Sequence, residues 1–210
     1  VGGSIRDALL NLPVNDVDIA SSALPEEIKS IFKRTVDVGI EHGTVTVFLD
    51  NDSYEVTTYR IDGRYEDGRH PSSVEFTSKL AHDLQRRDFT VNAMAYNSRE
   101  GLVDLYNGMD DLQKGIIRCV GNPLHRFEED ALRILRAFRF SAQLNFQIED
   151  STYKAAYLRK ENLDNISAER IRTELNKLLI SNHPEKFLDV YRVGITRIVF
   201  PEFDLMMESP

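Results

Sequence analysis

Apolar and polar positions alternate through the first half of the chain and recur at helical spacing through the second. The runs Val17–Ala20, Thr35–Ile40, Val45–Leu49 and Tyr54–Tyr59 are β-branched or alternating and of strand length. Leu24-Pro25-Glu26-Glu27 predicts a short helix, with Pro at an early position and acids in its first turn. Asp62–Ser73 carries Gly63, Gly68 and Pro71 among charges and reads as a loop. From Asp88 the pattern turns helical, with Phe89, Asn92, Ala93 and Tyr96 on one face. A strand-like piece, Leu102–Leu105, and a turn at Asn107-Gly108 follow. Asn122-Pro123 precedes a long helix, roughly His125 to Gln143, in which Phe127, Ala131, Leu135 and Phe138 keep helical spacing. Two more helices span about Glu149–Arg159 and Ser167–Ile180, the second with Ser167 as N-cap. Pro184 opens a last one. The pattern predicts an α+β domain and then a helical one, divided near residue 122.

Composition places the 210-residue chain in the ordinary globular class, at 41% hydrophobic and 29% charged. No apolar run approaches the roughly 20 residues of a membrane helix. Cys119 stands alone, so a disulfide framework is excluded, and a reducing, cytoplasmic setting fits. The ends are abrupt, since Val1 is not an initiator Met, and this predicts a piece of a longer protein.

The net charge of −8 argues at first against a nucleic-acid partner. Its placement changes that picture. Residues 1–78 carry a net −7, residues 79–140 a net +1 and residues 141–210 a net −2. The acidic excess lies in the first third, where Asp16, Asp18 and Glu55 account for only part of it, and the middle third holds Arg86, Arg87, Arg133, Arg136 and Arg139.

Asp16-Val17-Asp18 is the first chemical signal. On a strand, side chains at i and i+2 point the same way, about 6–7 Å apart at the backbone. Two such carboxylates can share a pair of Mg²⁺ ions some 3.5–4 Å apart. Val17 and Ile19, apolar and on the other face, predict a half-buried strand. Glu55, on the strand Tyr54–Arg60, is either a third carboxylate or a solvent-facing strand residue. Upstream, Gly2-Gly3-Ser4-Ile5-Arg6-Asp7 offers close backbone approach and an Arg for phosphate, or else a plain turn. Arg86-Arg87-Asp88 joins guanidinium for phosphate to a carboxylate able to accept from a ribose hydroxyl. Asp88 is equally a good N-cap.

GGSIRD, DVDIA, RRDFTVNAMAY and EEDALRILRAFRF together resemble the bacterial-type (class II) tRNA nucleotidyltransferases, the CCA-adding enzymes, and their relative bacterial poly(A) polymerase. The four blocks stand in the family's order over residues 1 to about 145. The resemblance implies a nucleotidyltransferase-fold head over 1–122, a helical neck over 123–182 and the start of a truncated helical body over 183–210. It implies Mg²⁺ on Asp16 and Asp18, catalytic residues there, and nucleotide contacts at Gly3, Arg6, Arg87, Asp88, Asp130, Arg133, Arg136 and Arg139. It also implies tRNA, CTP and ATP as partners. Retention of the loop Asp62–Pro71 favours addition of the terminal A, since family members that add only CC tend to have it shortened. A-adding, CC-adding and poly(A)-polymerase relatives, and a non-catalytic fragment that binds RNA or nucleotide, stay open at this point.

Glu129-Asp130-x-x-Arg133 suggests how a base is read without a template. On one helix, Asp130 and Arg133 are i,i+3 neighbours. Asp130 can accept from the amino group of cytosine or adenine while Arg133 donates to the adjacent ring nitrogen. Uracil and guanine present the reverse pattern, and a polar site built this way can reject an analogue by roughly 10⁴-fold or more. The resemblance assigns the same role. The plainer alternative is a Glu129–Arg133 or Asp130–Arg133 salt bridge worth about 0.2–0.5 kcal/mol. Arg136 and Arg139 could likewise serve RNA phosphates or packing.

Overall fold

The structure is a computed structural model that describes residues 1–14, 16–63 and 73–208. The loop expected over Asp62–Ser73 therefore lies, from residue 64 to residue 72, outside the described residues. The described chain divides into two compact units, one up to Gly63 and from Ser73 to Met109, the other from Asp110 to Glu208.

The first unit opens with α1 (Gly3–Leu9), then β1 (Ile19–Ser21), α2 (Pro25–Ile31), β2 (Thr35–Val36), β3 (Thr44–Leu49) and β4 (Asp52–Thr58). The four strands form one sheet in the order β1-β4-β3-β2. β1 runs parallel to β4, with Ile19 opposite Val56, and the remaining pairs are antiparallel. The alternation read in the sequence is the burial pattern: Val45, Val47 and Val56 form a core with Ile28 of α2. Pro25 is the first residue of α2, and Glu27 Oε2 accepts from the Leu24 N–H at 2.7 Å.

Three strand expectations are corrected. β1 begins only at Ile19, so Asp16-Val17-Asp18 precedes the strand. Val17 and Ile19 are 48% and 40% exposed, so this segment is not half-buried. The run Thr35–Ile40 is a strand only at Thr35–Val36, because Gly39 turns at φ 83° into a 3₁₀ turn over Ile40–His42.

A hairpin of β5 (Arg60–Asp62) and β6 (Val74–Phe76) leads to α3 (Leu80–Gln85). The helical face expected over Phe89–Tyr96 is also corrected. A 3₁₀ turn over Thr90–Asn92 gives way to β7 (Met94–Asn97), paired antiparallel with β8 (Gly101–Asp104). Asn97 Oδ1 accepts from the Arg99 and Glu100 N–H groups and shapes the turn between them. Asn107, at φ 58°, and Gly108 lead into α4 (Gly108–Lys114), where a Cβ on Gly108 would stand 2.3 Å from the Thr90 carbonyl.

The second unit contains β9 (Ile116–Ile117), α5 (Pro123–Glu129), α6 (Leu132–Leu144), β10 (Gln147–Ile148), α7 (Asp150–Arg159), α8 (Ala168–Leu179), α9 (Phe187–Val193), α10 (Thr196–Val199) and α11 (Pro201–Glu208). Phe127, Ile134, Leu135, Phe138, Leu178 and Val190 are fully buried among these helices. β9 and β10 pair in parallel, which is why residues 110–122 pack with the helices and the compact units part at 109 rather than 122. Asn122 caps α5, its Oδ1 accepting from the Leu124 N–H at 2.9 Å. Ser167 occupies the N-cap of α8 but makes no side-chain capping bond.

The single helix expected over His125–Gln143 is two helices. Asp130 stands between α5 and α6 in extended backbone, at φ −146° and ψ 104°. Its Oδ1 accepts from the Leu132 N–H at 3.0 Å. A short carboxylate competes with the helix for backbone donors, and here that competition ends one helix and starts the next.

Candidate functional site

The first unit gathers three of the sequence blocks. The Val1 nitrogen donates to the Asp18 carbonyl at 2.8 Å, and the Gly2 N–H donates to the Met94 carbonyl at 3.0 Å. Arg6, buried on α1, donates from Nη1 to Asn92 Oδ1 at 2.7 Å. Asn92 Nδ2 donates to Asp88 Oδ1 at 3.1 Å, and that oxygen also accepts the Phe89 N–H at 2.8 Å. Arg6, Asn92 and Asp88 thus form one buried polar chain across 86 residues of sequence. Gly2 has φ +70°, and a Cβ there would meet Arg87 Nη1 at 2.6 Å. The glycine is required twice, by its backbone and by the guanidinium lying against it. A Cβ on Gly3, in contrast, would make only an ordinary contact with Arg6.

Asp16 and Asp18 line a hollow of about 560 Å³ together with Asp52, Ser53, Tyr54 and Glu55. In the register of β1 and β4, Glu55 precedes Val56, the partner of Ile19, so it neighbours Asp18. Four acidic residues therefore line this hollow, and neither Asp16 nor Asp18 is engaged by another described side chain. These are hard oxygen donors, the type Mg²⁺ takes. Among the described residues, no three His, Cys, Asp or Glu side chains converge to hold a metal by themselves.

Asp83 and Tyr59 border the arginine block. Asp83 binds both Arg86 and Arg87. Burial, then the charges of Asp83 and Glu100, pushes the Tyr59 hydroxyl above its usual value, so it stays a neutral phenol. Arg87 Nε is buried and has no acceptor among the described residues.

The second unit holds the EEDALR block, and its side chains take the Glu129–Arg133 salt bridge of the plainer alternative rather than a paired Asp130 and Arg133. Asp130 and Arg133 are linked through backbone, the Arg133 N–H donating to the Asp130 carbonyl at 3.0 Å. Their side chains go elsewhere. Arg133 Nη1 meets Glu129 Oε2 at 2.5 Å, and Arg126 meets the other oxygen of Glu129 at 3.0 Å. Asp130 Oδ2 accepts from Arg170 of α8 at 2.8 Å. The two residues do not share one helix face, because the chain breaks between them. Arg139 is buried, donates to Glu174 Oε2 at 2.5 Å and stacks its guanidinium over Phe140 at 3.9 Å. Arg136 is more open and lies 4.0 Å from Glu174.

Asn92, Asp83 and Arg170 were missed as site residues. Asp83 carried a signal, since it stands three and four residues before the paired arginines on a helix. Arg170 carried none, being 40 residues from its partner.

A family model described as "Poly A polymerase head domain" matches residues 1–118, and one described as "Probable RNA and SrmB- binding site of polymerase A" matches residues 145–207. The CCA-adding enzyme of Ligilactobacillus salivarius is 51% identical over 191 residues, 91% of this chain and 47% of that protein. That of Streptococcus thermophilus is 54% identical over 209 residues, 100% of this chain and 52% of its own length. The Bacillus stearothermophilus CCA-adding enzyme, solved in complex with CTP, superposes with a TM-score of 0.81 at 43% identity, over 88% of this chain and 44% of that one. The Thermotoga maritima enzyme, solved with tRNA, gives 0.78 at 29% identity, over 96% and 47%. The chain thus spans about half the length of the proteins it matches. With more than half of its residues inside the matched head domain, it belongs to the poly(A) polymerase head-domain family.

Proposed function

We propose that the chain carries the nucleotidyl-transfer site of an enzyme that adds C and A to the 3′ end of tRNA. The substrates are CTP and ATP, no template is used, Mg²⁺ is the cofactor and pyrophosphate is released. One observation carries the reading: Arg6 and Asp88, far apart in sequence, meet through Asn92 in one buried polar chain, while Arg87 lies against Gly2, next to the Val1 nitrogen that binds the Asp18 carbonyl. The relatives' names and their solved complexes with CTP and tRNA support it.

In this reading Asp16 and Asp18, with Glu55 at hand, would hold the Mg²⁺ ions. When bound, these supply activation of the RNA hydroxyl and neutralisation of phosphate charge. Arg6 and Arg87 orient and neutralise the triphosphate as the RNA 3′-hydroxyl attacks the α-phosphate in line. The backbone at Gly3 gives close approach, and Asp88 accepts from the ribose. Asp130 and Arg133 read the base, with Arg136 as a further nucleotide contact. Arg139, tied to Glu174, serves by holding α6 in place. The unit that ends at Met109 acts as head, and the helices from Asp110 on act as neck and the start of the body.

Incubation with tRNA lacking its CCA end, Mg²⁺, CTP and ATP tests the proposal. Extension by C, C and A is expected. Extension by C alone, by A alone or by a run of A would move the chain to a CC-adding, A-adding or poly(A)-polymerase role. CTP binding without any extension would leave only nucleotide binding.

A further inference from the structure

Asp83 is buried to 1% exposure within α3, too deep to touch a ligand. Its Oδ1 accepts from Arg86 Nε at 3.0 Å and Nη2 at 2.7 Å, and its Oδ2 accepts from Arg87 Nη2 at 3.1 Å. Arg86 also reaches Asp62 Oδ2 at 3.6 Å, which ties the cluster to β5. Two adjacent arginines repel each other, and each long side chain has many rotamers to lose. A single carboxylate between them removes the repulsion and fixes both. Among the described residues Arg87 is held at Nη2 alone; Nη1 lies against Gly2, and the buried Nε meets no described acceptor. One edge of the guanidinium is clamped, and Nη1 keeps its donor capacity.

We propose that Asp83 is a positioning residue for nucleotide binding, setting the Arg87 guanidinium so that Nη1 faces a nucleoside triphosphate. This rests on the function proposed above. It adds a residue that no ligand touches, acting through one that a ligand does. A buried carboxylate is suited to the task because its charge-assisted hydrogen bonds are short and directional.

The test is calorimetric titration of CTP with Mg²⁺ into the wild-type protein, Asp83→Asn, Arg87→Ala and the double variant, with melting curves for each. Asp83→Asn should weaken CTP binding about tenfold, the order lost when an orienting partner is removed from a ligand-contacting group. In the Arg87→Ala background the same change should weaken it by less than about twofold, since residues acting as a unit are not additive. Wild-type affinity in Asp83→Asn would overturn the proposal, as would an undiminished tenfold loss in the Arg87→Ala background. Absence of CTP binding by the wild type would overturn the proposed function itself, which separates the two failures. Should Asp83→Asn fail to fold, Asp83→Glu keeps the charge but shifts it by one methylene; unchanged affinity there would also overturn the proposal.

Discussion

Arg170 Nη2 lies 2.8 Å from Asp130 Oδ2, so α8 grips the residue at which α5 and α6 separate. Asp130 thus serves as a cap for α6 and as an ion-pair partner at once. Asp130→Ala removes both and should cost about 1–2 kcal/mol, dominated by the lost cap, since the ion pair is partly exposed. Asp130→Asn keeps a capping oxygen and should cost less. Urea unfolding separates the two. In the extension assay, Asp130→Ala should also admit UTP; an unchanged preference for CTP and ATP would remove Asp130 from base reading.

Asp16→Ala should abolish RNA extension while leaving CTP binding partly intact. The carboxylate is exposed and unengaged in the described structure, so its loss should leave the melting temperature unchanged. Full extension by this variant would refute the metal assignment. The same variant measured without nucleotide serves as its own folding control.

Arg139 and Glu174 form a buried ion pair between α6 and α8, with side chains 8% and 7% exposed. Removing one partner strands the other's charge, so Glu174→Leu should cost about 3–5 kcal/mol. Joint replacement, Arg139→Met with Glu174→Leu, should recover most of that loss, because neither charge then remains buried. Guanidinium denaturation of the single and double variants measures the recovery.

Glu149 caps α7 and adds an acid-sensitive term to stability. Burial pushes its carboxyl up, but hydrogen bonds from the Ser151 hydroxyl and the Thr152 N–H outweigh that and hold it below the ordinary 4.5. A depressed folded value means that the ionised form is the better bound one in the native state. Its stabilisation is therefore present above the unfolded value and is lost as pH falls through the folded one. Glu149→Gln should flatten the acid limb of a melting-temperature profile below 4.5 and change little at neutral pH.

Much of the site was legible because its chemistry sits in contiguous blocks. Arg6, Arg87 and Asp88 stand in blocks whose residue types suit phosphate and ribose, with their roles and that of Gly3 implied by the resemblance; the structure links Arg6 to Asp88 through Asn92 and lays Arg87 against Gly2 rather than Gly3. The helix start marked by Pro25 was legible for the same reason, since Pro at a first turn is a local signal, while α5 begins at Pro123 itself, two residues before the start read near His125. What was not legible depended on competition between local and distant partners. Phe89 to Tyr96 fits a helical face, yet Met94–Asn97 takes a strand because Gly101–Asp104 is there to pair with it. The helix through Asp130 breaks because a side chain outbids the backbone ladder, and Arg170, far along the sequence, holds it so. The Asp16–Asp18 segment lies beyond the end of a strand that pairing with β4 starts only at Ile19.

The small parallel clasp of β9 on β10 decides where the polypeptide can be divided. Severed after Gly121, the helical piece would lose the strand that takes the Gln147 and Glu149 N–H groups on the Gly115 and Ile117 carbonyls. It would also lose the Cys119 N–H that Thr152 Oγ1 accepts at 3.2 Å, and the Arg118 that meets Glu149 at 3.4 Å. Severed after Met109, it would keep all of these and surrender only the first two residues of α4. The natural seam is thus a dozen residues earlier than the Asn-Pro punctuation suggests, and a separately expressed helical half should start at Asp110.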